Sequence, residues 1–399
     1  MTQHPTRICI LGGGFGGLYT ALRLSQLPWN RQEQPEITLV DQHDRFLFLP
    51  LLYELVTNEL ETWEIAPPFT ELLAGTNIRF VQATVSGIDV EAKRVYLHNA
   101  PELSYDRLAI ALGSDTPMAM APGVEDHALS FHSIQDAYRL QERLRHLEAS
   151  DAEKIRVAIV GAGYSGVELA CKLADRLGGR GRIRLVELGD KILRNSTDFN
   201  REAAQKALEK QGIWVDLETK VASVQADSLS LDYKGSVDTI PVDIVMWTVG
   251  TQVSEVVKHL PLPKTPQERL LLLPTLQVEQ HPDVFALGDS AKCVDADGQM
   301  VPTTAQAAFQ QADYAGWNIW ASLTGRPLLP FRYRALGEMM ALGTDNATLS
   351  GLGLKLDGPL AYVTRRLAYL YRMPTFEHQL KVGLNWVTRP LRDLLTTPN

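Results

Sequence analysis

Two glycine turns, 149 residues apart, constrain this 399-residue chain more than any other feature. The first, Gly12-Gly-Gly14-Phe15-Gly16-Gly17, lies between the apolar run Arg7–Leu11 and a stretch of helical spacing from Leu18 to Leu27. The second, Gly161-Ala-Gly163-Tyr164-Ser165-Gly166, lies between Ile155–Val160 and a helical stretch from Val167 to about Leu177. In such a turn the first glycine permits the tight bend. The second lets the backbone approach a pyrophosphate, and the third lets helix and strand close up. The helix N-terminus adds N–H groups and partial positive charge for the phosphates. Each unit continues into a strand that ends in an acid able to accept hydrogen bonds from ribose hydroxyls. The acids are Asp41, 24 residues after Gly17, and Glu187, 21 residues after Gly166. An acid at Glu187 favours the 2′-hydroxyl of NAD(H) and repels a 2′-phosphate; the plainer reading is a solvated carboxylate at a strand end. A repeat of this length is a repeat of whole domains. Alternating strand and helix patterns predict parallel sheets covered by helices. The expected fold class is therefore α/β with two Rossmann-like dinucleotide-binding domains. Two nucleotides side by side imply hydride transfer, with a flavin as acceptor.

Charge and cysteines narrow the partners. There are 39 Lys+Arg against 47 Asp+Glu, a net charge of −8, which argues against broad nucleic-acid binding. No apolar run approaches about 18 residues, so no helix should span a bilayer. Cys9, Cys171 and Cys293 lie far apart, with no CxxC and no metal-ligand spacing. They read as buried small apolar residues of a protein in a reducing compartment. No metal site is expected. The opening Met1–Thr6 has neither the charged and apolar regions of a signal peptide nor room for a transit peptide, so a cytoplasmic location is expected.

Shorter segments fill in the organisation. Ile78–Val85 and Arg94–Leu97 suggest an antiparallel insert, and Met118–Gly123 and Leu260–Pro266 read as connectors. Val284-Phe-Ala-Leu-Gly-Asp289, Leu108–Gly113 with Ser114, and Val245-Met-Trp-Thr-Val-Gly250-Thr251 are strands that end in glycine turns. The expected boundaries are 1–117 with 256–330 for the first nucleotide domain, 118–255 for the second, and 331–399 for a C-terminal region.

In this order and spacing the segments resemble flavoprotein reductases with two dinucleotide-binding domains. That resemblance implies FAD in the first domain, with an NAD(P)H domain inserted into it. It places Asp289 on the ribityl chain and Gly113 and Gly250 at the turns leading out of the two domains, although Leu112 replaces the usual Thr. Disulfide reductases of this fold carry a cysteine pair after the first acid; here that region reads His43-Asp-Arg-Phe-Leu-Phe-Leu-Pro50, without one. Phe46–Glu54 instead resembles the flavin-lining segment of type II NAD(P)H:quinone oxidoreductases, which brings Pro50 and, further on, Val85 into the flavin-binding set. Ala305-Gln306-Ala-Ala-Phe-Gln310-Gln311 resembles their AQxAxQQ motif at the quinone pocket. Gln306 and Gln310 are four apart, so on a helix they share a face, where their amides can meet the flavin edge and a quinone carbonyl. Gly166-Val-Glu168 matches the family's Glu near the nicotinamide–flavin contact, a candidate for proton delivery.

Four longer segments, 62–69, 302–311, 337–345 and 382–390, bring the chain closest to the cyanobacterial demethylphylloquinone reductase branch. The branch implies FAD, a donor that is NADPH or NADH, and two-electron reduction of demethylphylloquinone to its quinol in phylloquinone (vitamin K1) biosynthesis. The alternative within the family is a non-proton-pumping type II NADH dehydrogenase that reduces plastoquinone. Outside it stands a redox-responsive binding protein. The branch is associated with NADPH while Glu187 reads as an NADH residue; Arg184, Lys191 or Arg194 are the candidates to help a 2′-phosphate.

The tail carries its own expectation. Residues 355–399 have a net charge of +4, leaving −12 for the rest. Leu360, Val363, Leu367 and Leu370/Tyr371 form a helical stripe flanked by Arg365, Arg366 and Arg372, with Trp386 further on. Apolar stripe, aromatic residues and basic flanks describe a helix lying in a membrane interface. The alternative is a C-terminal region packed on the protein or across a homodimer, and both can hold. The expected location is cytoplasmic, peripheral to the plasma or thylakoid membrane.

Overall fold

The computed structural model describes residues 5–30 and 34–396, of which 390–396 are described in their backbone alone. Met1–His4 therefore lie outside the described residues, as do the side chains of Arg392 and Asp393, which enter the tail's charge. The chain forms two compact units. The first comprises Met1–Phe48, Ala66–Asp115 and Gln252–Arg334; the second comprises Leu49–Ile65, Thr116–Thr251 and Ala335–Asn399. The division departs from the expected boundaries at Leu49–Ile65 and at Ala335–Asn399. Both segments join the second unit, because the C-terminal helices are bonded to the 49–65 segment.

The first unit is built on a six-stranded sheet in the order Gln277–Val278, His281–Ala286, Arg107–Ile110, Arg7–Leu11, Glu36–Asp41, Ile78–Gln82. All pairs are parallel except the first, which is antiparallel. The central strands are continuous apolar runs because both faces are covered; Ile8, Ile10, Leu11, Ile37, Leu39 and Ile110 are all buried. Ile78–Gln82, expected in the antiparallel insert, pairs parallel with Glu36–Asp41. The insert is instead a three-stranded meander of Val85–Asp89, Arg94–Leu97 and Ala100–Ser104. The register Leu11↔Ile110 and Ala286↔Ile110 aligns three carboxyl ends. The turns after these strands therefore open on one edge, where open α/β sheets bind their ligands.

The second unit repeats the plan with five parallel strands in the order Trp214–Asp216, Gly181–Val186, Ile155–Val160, Ile244–Trp247, Ala128–Leu129. Two antiparallel three-stranded sheets accompany it: Thr219–Val224 with Ser228–Tyr233 and Ser236–Pro241, and Glu338–Ala341 with Ala347–Gly351 and Leu354–Asp357. The helices Gly358–Arg372 and Phe376–Thr396 complete it. No helix among the described residues is long and apolar enough to cross a membrane.

Candidate functional site

The two glycine turns are built alike. Gly12 and Gly161 have φ of +95° and +101°, a region that disfavours L side chains. A Cβ on Gly17 would lie 1.7 Å from the Gly12 carbonyl oxygen, and one on Gly166 would lie 1.8 Å from that of Gly161. Glycine is thus obligatory where helix meets strand. Gly14 and Gly163, by contrast, face open space: a Cβ on either would meet no atom within 4 Å. They are also the N-caps of the helices Phe15–Gln26 and Tyr164–Leu177, and neither helix has a side-chain cap. Elsewhere the chain caps its helices with Ser133, Thr197 and Thr304. The two uncapped N-termini leave N–H donors for phosphate oxygens. The first helix begins at Phe15 rather than Leu18 because the glycines themselves form its first turn.

The acids repeat the likeness. Asp41 accepts from the Gly13 N–H at 2.6 Å and the His43 N–H at 2.8 Å. Glu187 accepts from the Ala162 N–H at 2.8 Å and the Gly189 N–H at 2.7 Å. Each carboxylate is pinned beside its glycine turn at the place a ribose would occupy, so the residues fit the two nucleotides.

The first unit gathers further expected residues around its turn. Phe15 meets Phe46 and Phe48 edge-on at 5.3 and 5.2 Å between ring centres. Asp289 accepts from the Ser114 hydroxyl at 2.7 Å, and Ser290 donates to the Gly113 carbonyl at 3.1 Å, which ties the two turns together. Val85 is buried at the start of the meander. Ala305 opens the helix Ala305–Thr324. In that helix the glutamines take separate tasks. Gln311, which the motif's spacing did not single out, is buried and accepts from the Gly288 N–H at 2.8 Å. Gln306 accepts from the Tyr333 hydroxyl at 3.0 Å. Gln310 spends both ends of its amide on the main chain of Arg334, at 2.9 and 3.0 Å. Here it holds the turn at Arg334.

The second unit holds a cluster that sequence reasoning missed. Arg365, expected as an exposed flank of the membrane stripe, is completely buried. Its guanidinium reaches Glu54 at 2.5 Å, Glu168 at 3.1 Å and the Pro50 carbonyl at 2.9 Å. Pro50, expected at the flavin, thus gives its carbonyl to this arginine. Glu168 also accepts from the Ala341 N–H at 2.8 Å. Lys172, one helical turn further along, is fully buried and paired with Glu59, which also accepts from the Tyr362 hydroxyl. Burial pushes Glu168 up to about 7; the Arg365 charge opposes this, and the neighbouring Glu54 adds to it. Burial also acts to raise Glu54, but the Arg365 and Lys172 charges outweigh it and hold Glu54 below the usual range. One carboxyl of the pair therefore stays ionised while the other exchanges its proton near neutrality. Gly250, with φ +82°, follows the Ile244–Trp247 strand. Tyr164 bonds to Ser196 and Glu338, and Ser165 to Tyr53.

Acids five apart in the 49–65 segment hold the tail. Glu54 binds Arg365, Glu59 binds Tyr362, and Glu64 accepts from Asn385 at 3.1 Å and Trp386 at 2.8 Å. Trp386, expected at a lipid interface, is therefore half-buried against protein. Arg366 stacks over Trp386 and Tyr362. The other face is bare: Leu360, Val363, Leu367 and Tyr371 on one helix and Phe376, Leu380, Leu384 and Val387 on the next are all exposed. The three cysteines are buried free thiols, and burial pushes Cys9 and Cys293 up to about 12 and raises Cys171 likewise. None is poised as a thiolate.

Comparison with known proteins agrees with this construction. The family described as pyridine nucleotide-disulphide oxidoreductase matches residues 6–312. A demethylphylloquinone reductase of Synechocystis is 59% identical over 399 residues, covering 99% of both chains. An alternative NAD(P)H-ubiquinone oxidoreductase of Arabidopsis thaliana is 42% identical over 97% of this chain and 81% of its own. Among solved structures, NDH2 from Plasmodium falciparum in complex with NADH superposes with a TM-score of 0.86 over 96% of this chain and 98% of that one. At 17% identity that likeness speaks to the fold alone.

Proposed function

We propose, from the premise that this chain belongs to the pyridine nucleotide-disulphide oxidoreductase family and within it to the NAD(P)H:quinone oxidoreductases, that it reduces demethylphylloquinone to its quinol with electrons from NAD(P)H. The protein is an oxidoreductase whose nucleotides are FAD and NAD(P)H. The observation that carries the quinone is the 59% identity, from end to end, with a protein named for that reaction.

Bound FAD supplies the chemistry that accepts a hydride and passes two electrons to the quinone. The chain's residues do the holding. The 12–17 turn and the bare helix end behind it take the flavin's pyrophosphate, Asp41 orients a ribose, and Asp289, fixed by Ser114, is assigned to the ribityl chain. The 161–166 turn and Glu187 do the same for the nicotinamide nucleotide. Overall, NAD(P)H, one proton and quinone give NAD(P)+ and quinol, so one proton must come from solvent. Glu168, which titrates near neutrality and is anchored by Arg365, is assigned that transfer. Gln306 is assigned to orient the flavin edge, and Gln310 to shape the turn at Arg334.

The exposed apolar face of the two C-terminal helices is assigned to a membrane surface, where a long-chain quinone dissolves. A second copy of the chain is the competing occupant. Flotation with anionic vesicles should carry the protein, and Val363→Glu with Leu367→Glu should abolish this; a dimer in solution with no flotation would reverse the assignment. Turnover with a demethylated naphthoquinone should exceed turnover with a plastoquinone analogue. The opposite ranking would favour a respiratory-type dehydrogenase.

A further inference from the structure

We infer that Glu54 is a positioning residue for the proton step: by holding the charge of Arg365, it leaves Glu168, on the same guanidinium, able to carry a proton. This rests on the assignment of the proton transfer to Glu168 above and names what keeps that acid loaded. All the groups concerned lie in the second unit. The cluster sets three acids, Glu54, Glu59 and Glu168, against two cations, Arg365 and Lys172. A protein interior does not tolerate an unbalanced charge, so one of the acids must carry a proton.

The hydrogen bonds decide which acid this is. Glu59 has Lys172 and the hydroxyls of Tyr362 and Thr57. Glu54 takes Nη1 of Arg365 at 2.5 Å, undivided. Glu168 takes Nη2 at 3.1 Å, and that nitrogen also donates to the Pro50 carbonyl at 2.9 Å. The other donor to Glu168 is the uncharged Ala341 N–H at 2.8 Å. Each of the two acids on Arg365 leaves its Oε2 without a donor among the described residues, so the contact to charge settles the order. The shorter, undivided contact belongs to Glu54, which therefore stays ionised. On Glu168 both donors meet Oε1, and the proton sits on Oε2. The other titratable groups facing Glu168 are Tyr164, Cys171 and Lys172 on its own helix, Tyr53 on the 49–65 segment and Tyr369 beside Arg365. Burial raises the three tyrosines and the cysteine, so they are uncharged near neutrality. Lys172 is spent on Glu59. Glu54 is thus the anion set against Glu168, with Arg365 between them.

Stopped-flow reoxidation of the reduced holoenzyme by a demethylated naphthoquinone, followed across the neutral pH range, tests this. The wild type should show one ionisation near pH 7, with the rate falling as pH rises. Glu54→Gln removes an anion and gives Arg365 to Glu168 undivided, so the ionisation should move down by about one to two pH units. Arg365→Gln should move it up. Glu54→Gln together with Arg365→Gln leaves neither charge buried alone, which keeps the test open where a single variant fails to fold. Because the two charges offset one another at Glu168, this double variant should stay within about one pH unit of the wild type. The inference is overturned if Glu54→Gln leaves the ionisation in place or raises it, or if the double variant lies further than that from the wild type. A Glu168→Gln enzyme that keeps the ionisation contradicts the proton reading itself, whatever Glu54 does.

Discussion

The helices that follow the two glycine turns start alike, uncapped and on a glycine, and then diverge. Two residues after the third glycine, the first unit has Tyr19 and the second has Glu168. Tyr19 stacks on Phe15 and meets Phe309 edge-on at 4.7 Å, with Phe46 at 6.1 Å. Glu168 instead enters a buried cluster with Arg365, Glu54 and, a turn away, Lys172 and Glu59. One backbone solution thus receives an aromatic wall in one unit and a charged interior in the other. An apolar, aromatic surround suits a resident cofactor held through many turnovers. Buried ionisable groups are costly to keep and are concentrated where protons are handled. The difference is why the proton transfer is proposed for the second unit, beside the exchanging nucleotide.

The strongest way to break this comparison is to remove its charged half. Arg365→Ala leaves two carboxylates buried without their shared cation. It should destabilise the protein by about 3–5 kcal/mol in denaturant unfolding. Tyr19→Ala, which trims one ring from an aromatic wall, should cost less. An Arg365→Ala protein as stable as the wild type would mean that the cluster is hydrated and weakly coupled. Next in size are the glycines the two units share. Gly17→Ala and Gly166→Ala each force a methyl against a carbonyl and should cost about 1–3 kcal/mol. Their ligand effects should separate: the first should yield protein depleted of flavin, and the second should keep the yellow colour but lose reduction by NAD(P)H. Absorbance spectra of the purified variants read both.

The smallest effect concerns pH. The folded protein holds the Glu168 proton more tightly than the unfolded chain, whose value is near 4.5. Its contribution to stability is therefore full below about pH 4.5 and is lost as pH rises through about 7. Glu168→Gln should flatten this part of the profile. It should also remove an ionisation near pH 7 from flavin reoxidation by quinone, where the wild-type rate falls as pH rises. A variant that keeps the ionisation would move the proton's source elsewhere.

The glycine turns and their acids are legible in the sequence because their demands are local. A tight turn, a close approach and an acid at the next strand end each require a residue type at a set spacing, and Gly12–Gly17, Asp41, Gly161–Gly166 and Glu187 all occupy the positions that spacing predicts. The partner of a strand is not local, which is why the pattern of Ile78–Gln82 points to the wrong sheet. The charged cluster is hidden for the same reason. Its members come from 49–65, from the helix after the second turn and from the tail, and an arginine next to an exposed leucine stripe reads as solvated. A signal is present nonetheless. Arg365 lies three residues after Tyr362 and four before Tyr369, on the helix face opposite Leu360, Val363 and Leu367, and Glu54 stands in an apolar run that would bury it without a partner. Gln310 is only half legible because a shared helix face says nothing of what else that face meets; here the main chain of Arg334 bonds to both ends of its amide.

Electrons are proposed to pass from NAD(P)H through a bound flavin to a naphthoquinone. Anaerobic stopped-flow mixing tests it most directly, with the flavin first bleached by one equivalent of NADPH and then challenged with a demethylated naphthoquinone. The flavin absorbance should return within the turnover time, with one quinol formed per flavin. A flavin that stays bleached in excess quinone would contradict the account.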